Sequence, residues 1–73
     1  MLNKSHAEIK LTEKQKLFIR LICMEKNPKQ IAAEMNISIQ TVYGYKRRIL
    51  AKIEAKSDVG IVVFAYNNNL YSD

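Results

Sequence analysis

A chain of 73 residues leaves room for one small domain and none for a second. Apolar residues at 48% are enough for a thin folded core and too many for a disordered chain. Twelve Lys and Arg against seven Asp and Glu give a formal net charge of +5, which points to a polyanionic partner, either nucleic acid or an anionic membrane surface. A single cysteine, Cys23, excludes an internal disulfide, and Cys23 with one histidine, His6, cannot build the usual Cys/His zinc site. A reducing, cytosolic setting is therefore expected. The longest apolar run, Ile61 to Tyr66, is far short of the roughly 20 residues that span a bilayer, and the first six residues have no signal-peptide character.

Residues 1–10 are mixed and polar and read as a linker or flexible arm, with the domain over 11–73. Thr12-Glu13-Lys14-Gln15 has the form of a capping box. Leu17, Phe18, Leu21 and Ile22 follow at helical spacing, so a first helix is expected from Glu13 to about Lys26, stopped by Asn27-Pro28. The same dipeptide starts a second helix: Asn27 caps it, Pro28 suits its first position, and Gln30 can bond back to the cap. Ile31, Ala32 and Met35 form its buried stripe, and Asn36 suits a left-handed end.

Ile37-Ser38 is a very tight connection, and Ser38 is a good cap for a third helix reaching about Ala55. Val42, Ile49, Leu50 and Ile53 give that helix its core stripe. Gly44 inside it costs about 1 kcal/mol against alanine, which calls for a close approach to something. Ser57 can cap a fourth helix from Asp58 to about Asn67, with Asp58 favourable at the positive end of the helix dipole. Val59, Ile61, Val62 and Val63 also suit a strand, but such a strand would have no partner. Asn67-Asn68-Asn69 then breaks the helix.

Helices two and three, joined by a turn at residues 36–38, make a helix-turn-helix in an all-α, four-helix domain. The third helix carries the chemistry. From Tyr43 to Lys56 it holds Lys46, Arg47, Arg48, Lys52 and Lys56 against the single acid Glu54. Cations at the edges of a helix in the major groove meet phosphates, and Tyr43, Gly44 and Arg47 offer base edges either donors or close approach. An isolated basic helix would more simply be a solvated face; position after the tight turn and the net charge favour DNA.

Leu11-Thr12, Lys29-Gln30-Ile31-Ala32, Ile37-Ser38, Thr41-Val42, Lys52 and Ser57 together resemble the LuxR-type helix-turn-helix, also called GerE-like or NarL/FixJ-type, over Leu11 to Tyr66 without a gap. The resemblance implies a cytoplasmic bacterial domain that binds operator DNA for transcription regulation, usually as a dimer on an inverted repeat, and typically as the output domain of a two-component response regulator. By position it implies base reading by Tyr43, Gly44 and Arg47. Phosphate binding falls on Lys29, Thr41, Tyr45 and Arg48, with Lys46 joining them. Departures are Tyr45 for a frequent histidine, Arg48 for a frequent asparagine, Gln15 for an acid, and Asp58 for an arginine. Glu25 stands where the family has a glycine, so a different cap is expected there.

The fourth helix is apolar almost all round, which suggests a second partner for its outer face. Dimerisation through Val63, Phe64 and Tyr66 agrees with the resemblance. Two other readings stay open: a sigma-factor region-four-like domain, which also touches RNA polymerase, and a protein-interaction module using helix four. A membrane-surface role is disfavoured, because helix three spends its apolar stripe on the core. Cys23 reads as a small core hydrophobe. His6 stands alone, Gly44 and Gly60 form no phosphate loop, and no catalytic constellation or cofactor site is present, so no enzyme is expected.

Overall fold

The computed structural model describes residues 9–71. It contains four helices: α1 (Glu13–Cys23), α2 (Pro28–Met35), α3 (Ile39–Ile53) and α4 (Asp58–Asn67), with no strand among the described residues. The fourth segment is thus helical despite its β-branched content. The arm expected over 1–10, and His6 with it, lies largely outside the described residues; Ile9 and Lys10 are not helical.

The first three helices start where a side chain accepts from a free amide of the first turn. Thr12 Oγ1 accepts from Gln15 N–H at 3.0 Å while Gln15 Oε1 accepts from Thr12 N–H at 3.0 Å, a reciprocal capping box. Asn27 and Gln30 repeat it at the start of α2, at 2.8 and 2.9 Å. Ser38 Oγ accepts from Thr41 N–H at 3.1 Å at the start of α3. Ser57 precedes α4 in extended conformation but makes no side-chain cap bond, so Asp58 alone supplies negative character there.

The helix ends differ from the sequence expectation. α1 stops at Cys23, not Lys26, and α3 stops at Ile53, short of Ala55. The cause is a repeated backbone motif. Glu25, Asn36, Glu54 and Asn69 all take left-handed φ values, between 57° and 61°. After α1, Glu25 N–H donates to Ile22 C=O at 2.9 Å and Lys26 N–H to Leu21 C=O at 3.1 Å. The same pair of bonds recurs at Asn36 and Ile37, at Glu54 and Ala55, and at Asn69 and Leu70. This is the Schellman motif. Glu25 therefore makes the kind of left-handed end that glycine favours, where a different cap was expected.

The core collects Phe18, Ile19, Leu21 and Ile22 from α1, Ile31 and Ala32 from α2, Val42 and Ile49 from α3, and Ile61 and Ala65 from α4. Helix α1 packs against α4, α2 against α3, and α3 against α4. Leu17, Cys23, Met35, Leu50 and Ile53 pack partly buried around this centre. Burial pushes the Cys23 thiol up from its ordinary value of 9.0. No polar or charged residue is buried among the described residues. Every helix sends apolar residues inward, and α3 is left with a mostly polar outer face.

Candidate nucleic-acid interface

Helix α3 advances about 100° per residue. Val42, Ile49 and Ile53 define its inner side, with Val42 and Ile49 buried. Gln40, Tyr43, Gly44, Arg47, Arg48 and Ala51 fall on the opposite half-turn, and all but the half-buried Gly44 are exposed. No carboxylate occurs anywhere in α3. At Gly44, an added Cβ would meet nothing within 4 Å except the end of the Arg48 side chain, Nη1, at 3.9 Å. Packing inside the domain therefore gives no reason for a glycine; the space over it opens outward.

Thr41 is exposed at the start of α3, its hydroxyl 2.9 Å from Ser38 Oγ. Lys29 is exposed at the second position of α2. Neither α2 nor α3 has an acid in its first turn, whereas α1 carries Glu13 and α4 carries Asp58 there. A lysine near a helix N-terminus is disfavoured by the dipole, by typically 0.3–1 kcal/mol on an exposed surface, roughly, unless an anion joins it. The helix-turn-helix thus presents two N-termini with no acid in their first turns, whose positive dipole ends suit phosphate oxygens.

Two of the sequence candidates lie nearer the core side. Tyr45 is half-buried, its ring stacked on Phe18 with centroids 5.8 Å apart and planes 17° from parallel. Lys46 is half-buried, with Nζ 3.0 Å from Asp58 Oδ1. The structure therefore brings Thr41, Tyr43, Gly44, Arg47 and Arg48 to one exposed face and sets Tyr45 and Lys46 on its flanks. Lys52 was not singled out as a site residue. It lies one turn beyond Arg48 and lines a shallow open depression with Gln15, Arg48 and Ala51. Its Nζ donates to Gln15 Oε1 at 3.2 Å. The i, i+4 spacing from Arg48 was the signal that could have found it.

Helix α4 has a second exposed face. Val59, Val62, Val63 and Tyr66 recur at helical spacing, and Val59 and Tyr66 are 70% and 71% exposed. Tyr66 stacks on Tyr71 with centroids 5.5 Å apart. Val63 and Tyr66, expected at a dimer contact, lie on this stripe. Phe64 does not: it is half-buried and lines an open pocket with Leu11, Lys16 and Leu70. Among the described residues, no helix is long and apolar enough to cross a membrane, and no group of three or more His, Cys, Asp or Glu is placed to hold a metal ion.

Comparison with known proteins agrees with this architecture. Over 70 residues the chain is 30% identical to the probable transcriptional regulator ycf29 of Cyanophora paradoxa, covering 96% of this chain and 33% of that protein. Its fold matches one chain of the Vibrio cholerae VqmA dimer, a LuxR-type receptor, with a TM-score of 0.81 and 28% identity, covering 96% of this chain and 32% of the other. The chain thus spans about a third of the length of these two relatives. Residues 10–65 match the model of the luxR family of bacterial regulatory proteins, called GerE. With that match over its helix-turn-helix, the chain belongs to the luxR family and is one of its DNA-binding domains.

Proposed function

We propose that the domain reads duplex DNA in a sequence-specific manner, with α3 in the major groove and two copies arranged on an inverted repeat. The observation that carries this reading is the outer face of α3, which joins Tyr43, Gly44 and Arg47 to Arg48 in a helix without a carboxylate. Tyr43, Gly44 and Arg47 face base edges. Lys29, Thr41, Tyr45 and Arg48 hold phosphates, with Lys46 dividing its charge between Asp58 and the DNA backbone. The two helix N-termini of the motif add amide donors on the phosphate side. The exposed stripe of α4 supports a homodimer, because an isolated domain gains nothing from leaving Val59, Val62, Val63 and Tyr66 in water. A two-fold axis there would set the recognition helices about 34 Å apart, one turn of DNA.

The finer role we infer is the output domain of a two-component response regulator acting in the bacterial cytoplasm. It is supported by family membership and by the length of the relatives, two thirds of which lies outside the match. The test is fluorescence anisotropy on a random-sequence duplex across a salt series, wild type beside Arg48→Ala. Phosphate contacts give a log–log slope of about −0.9 each, so the variant should lose about one unit of slope. Absence of binding even at low salt would overturn the reading.

A further inference from the structure

Helices α3 and α4 meet in a tight elbow. Only residues 54–57 separate them, and Ala55 N–H closes back on Leu50 C=O at 2.9 Å. The chain then returns past Ala55 at Gly60. A Cβ on Gly60 would stand 2.7 Å from the Ala55 Cβ and 3.5 Å from its Cα. Real Cβ atoms essentially never approach that closely, so either α4 or the connection that carries Ala55, tied to α3 through Leu50, would have to shift. On the same elbow, Lys46 Nζ of α3 reaches Asp58 Oδ1 of α4 at 3.0 Å. Gly60 thus sets how near α4 can lie to the end of α3, and the ion pair links the two helices at a second point. Neither Ala55 nor Gly60 has a part in the DNA contacts assigned above, and Asp58 bears on them only through Lys46.

We propose that this elbow, formed by the Gly60–Ala55 contact and the Lys46–Asp58 pair, fixes the distance between the two recognition helices and so selects the spacing of half-sites on DNA. The proposal rests on the α4 dimer of the preceding section. In that arrangement α4 belongs to the two-fold axis and α3 to the DNA, so the angle between them is the one variable that moves one reading face against the other. The lever is long. Restoring ordinary contact at 3.4 Å requires an opening of about 0.7 Å at Gly60. Acting about 5 Å from the pivot at Ser57, that turns α4 by about 8° relative to α3. Over the roughly 20 Å length of α3 such a turn displaces its reading end by about 3 Å, close to the rise of one base pair. The two-fold axis applies it to both copies.

The test is in vitro selection from a random duplex library with the 73-residue chain, reading the spacing between inverted half-sites. Wild type should enrich one spacing. Gly60→Ala should enrich the same half-site sequence with the spacing shifted by about one to two base pairs. The swap Ala55→Gly with Gly60→Ala moves the methyl group across the contact and should return the wild-type spacing. Asp58→Asn, which adds no bulk, should broaden the distribution of spacings, and it tests the elbow even if Gly60→Ala fails to fold. Unchanged, sharp spacing in both folded single variants overturns the proposal while leaving the dimer standing. Selection of single half-sites by wild type overturns the dimer and the elbow with it.

Discussion

Replacing Gly44 by alanine should move stability and DNA recognition in opposite directions. Glycine in a helix interior costs about 0.8–1 kcal/mol relative to alanine, because it loses more backbone freedom on folding. The new methyl group meets only Arg48 Nη1, at 3.9 Å, which is ordinary contact with the end of a flexible side chain. Nothing offsets the gain in propensity, so Gly44→Ala should raise stability by about 1 kcal/mol. For a domain of this size that is roughly 4–8 °C in melting temperature. On the DNA side the methyl group projects from the face that holds Tyr43 and Arg47. It would hold the backbone off the base edges and lengthen the bonds those side chains make. A loss of about 1.4 kcal/mol is tenfold in affinity, and a loss of that order is expected on the cognate site. Binding to random duplex, which depends on phosphates, should change little. Thermal melting by circular dichroism and anisotropy on both duplexes read the two effects separately. A lower melting temperature would refute the account of the helix interior. Unchanged cognate affinity would refute the close approach.

Other expectations follow from the same structure. Glu25→Gly and Glu54→Gly should each stabilise the domain by about 1 kcal/mol in urea unfolding, since both glutamates hold left-handed φ; a loss would mean that their side chains matter more than their backbone. Val63→Glu should abolish the two-to-one complex on an inverted repeat and leave the melting temperature nearly unchanged, whereas Phe64→Glu should lower it by several degrees because Phe64 is half-buried; equal behaviour of the two would contradict the placement of the stripe. Cys23 should react with iodoacetamide much more slowly than a free thiol. Burial raises its folded pKa, so the folded thiol stays neutral past the ordinary value of 9.0, and stability present below 9.0 is lost as pH rises from there through the folded value; fast alkylation near neutral pH would show the thiol to be exposed.

The starts of the helices were legible because their signals are local. Thr12 with Gln15, and Asn27 with Gln30, carry both halves of a capping box within four residues. The ends were less legible. Asn36 announces a left-handed residue, but Glu25 and Glu54 do not, and the backbone there is set by the bonds back to Ile22, Leu21, Ala51 and Leu50. The outer face of α3 could be read from spacing alone, since Val42 and Ile49 fix which side is inward. What spacing cannot give is the partner across the fold. The stack of Tyr45 on Phe18 and the bond from Lys52 to Gln15 join residues far apart in the chain. Helix α4 shows the limit most clearly. A helix apolar on every side has no orientation in its pattern, so Phe64 was grouped with Val63 although the two face different surroundings.

The two glycines and the four left-handed ends are exchanged relative to what backbone freedom would favour. Glycine lies inside α3 and α4, while Glu25, Asn36, Glu54 and Asn69 take the conformations that glycine would hold at least strain. A domain of this length has only about 0.05–0.15 kcal/mol of stability per residue. At a hundredfold excess over its dissociation constant, a bound duplex adds about 2.7 kcal/mol, an amount comparable with the cost of these placements. In the proposed complex the duplex therefore offsets much of what this exchange costs the free domain, so the sequence can keep glycine where DNA comes close and leave it out of the turns.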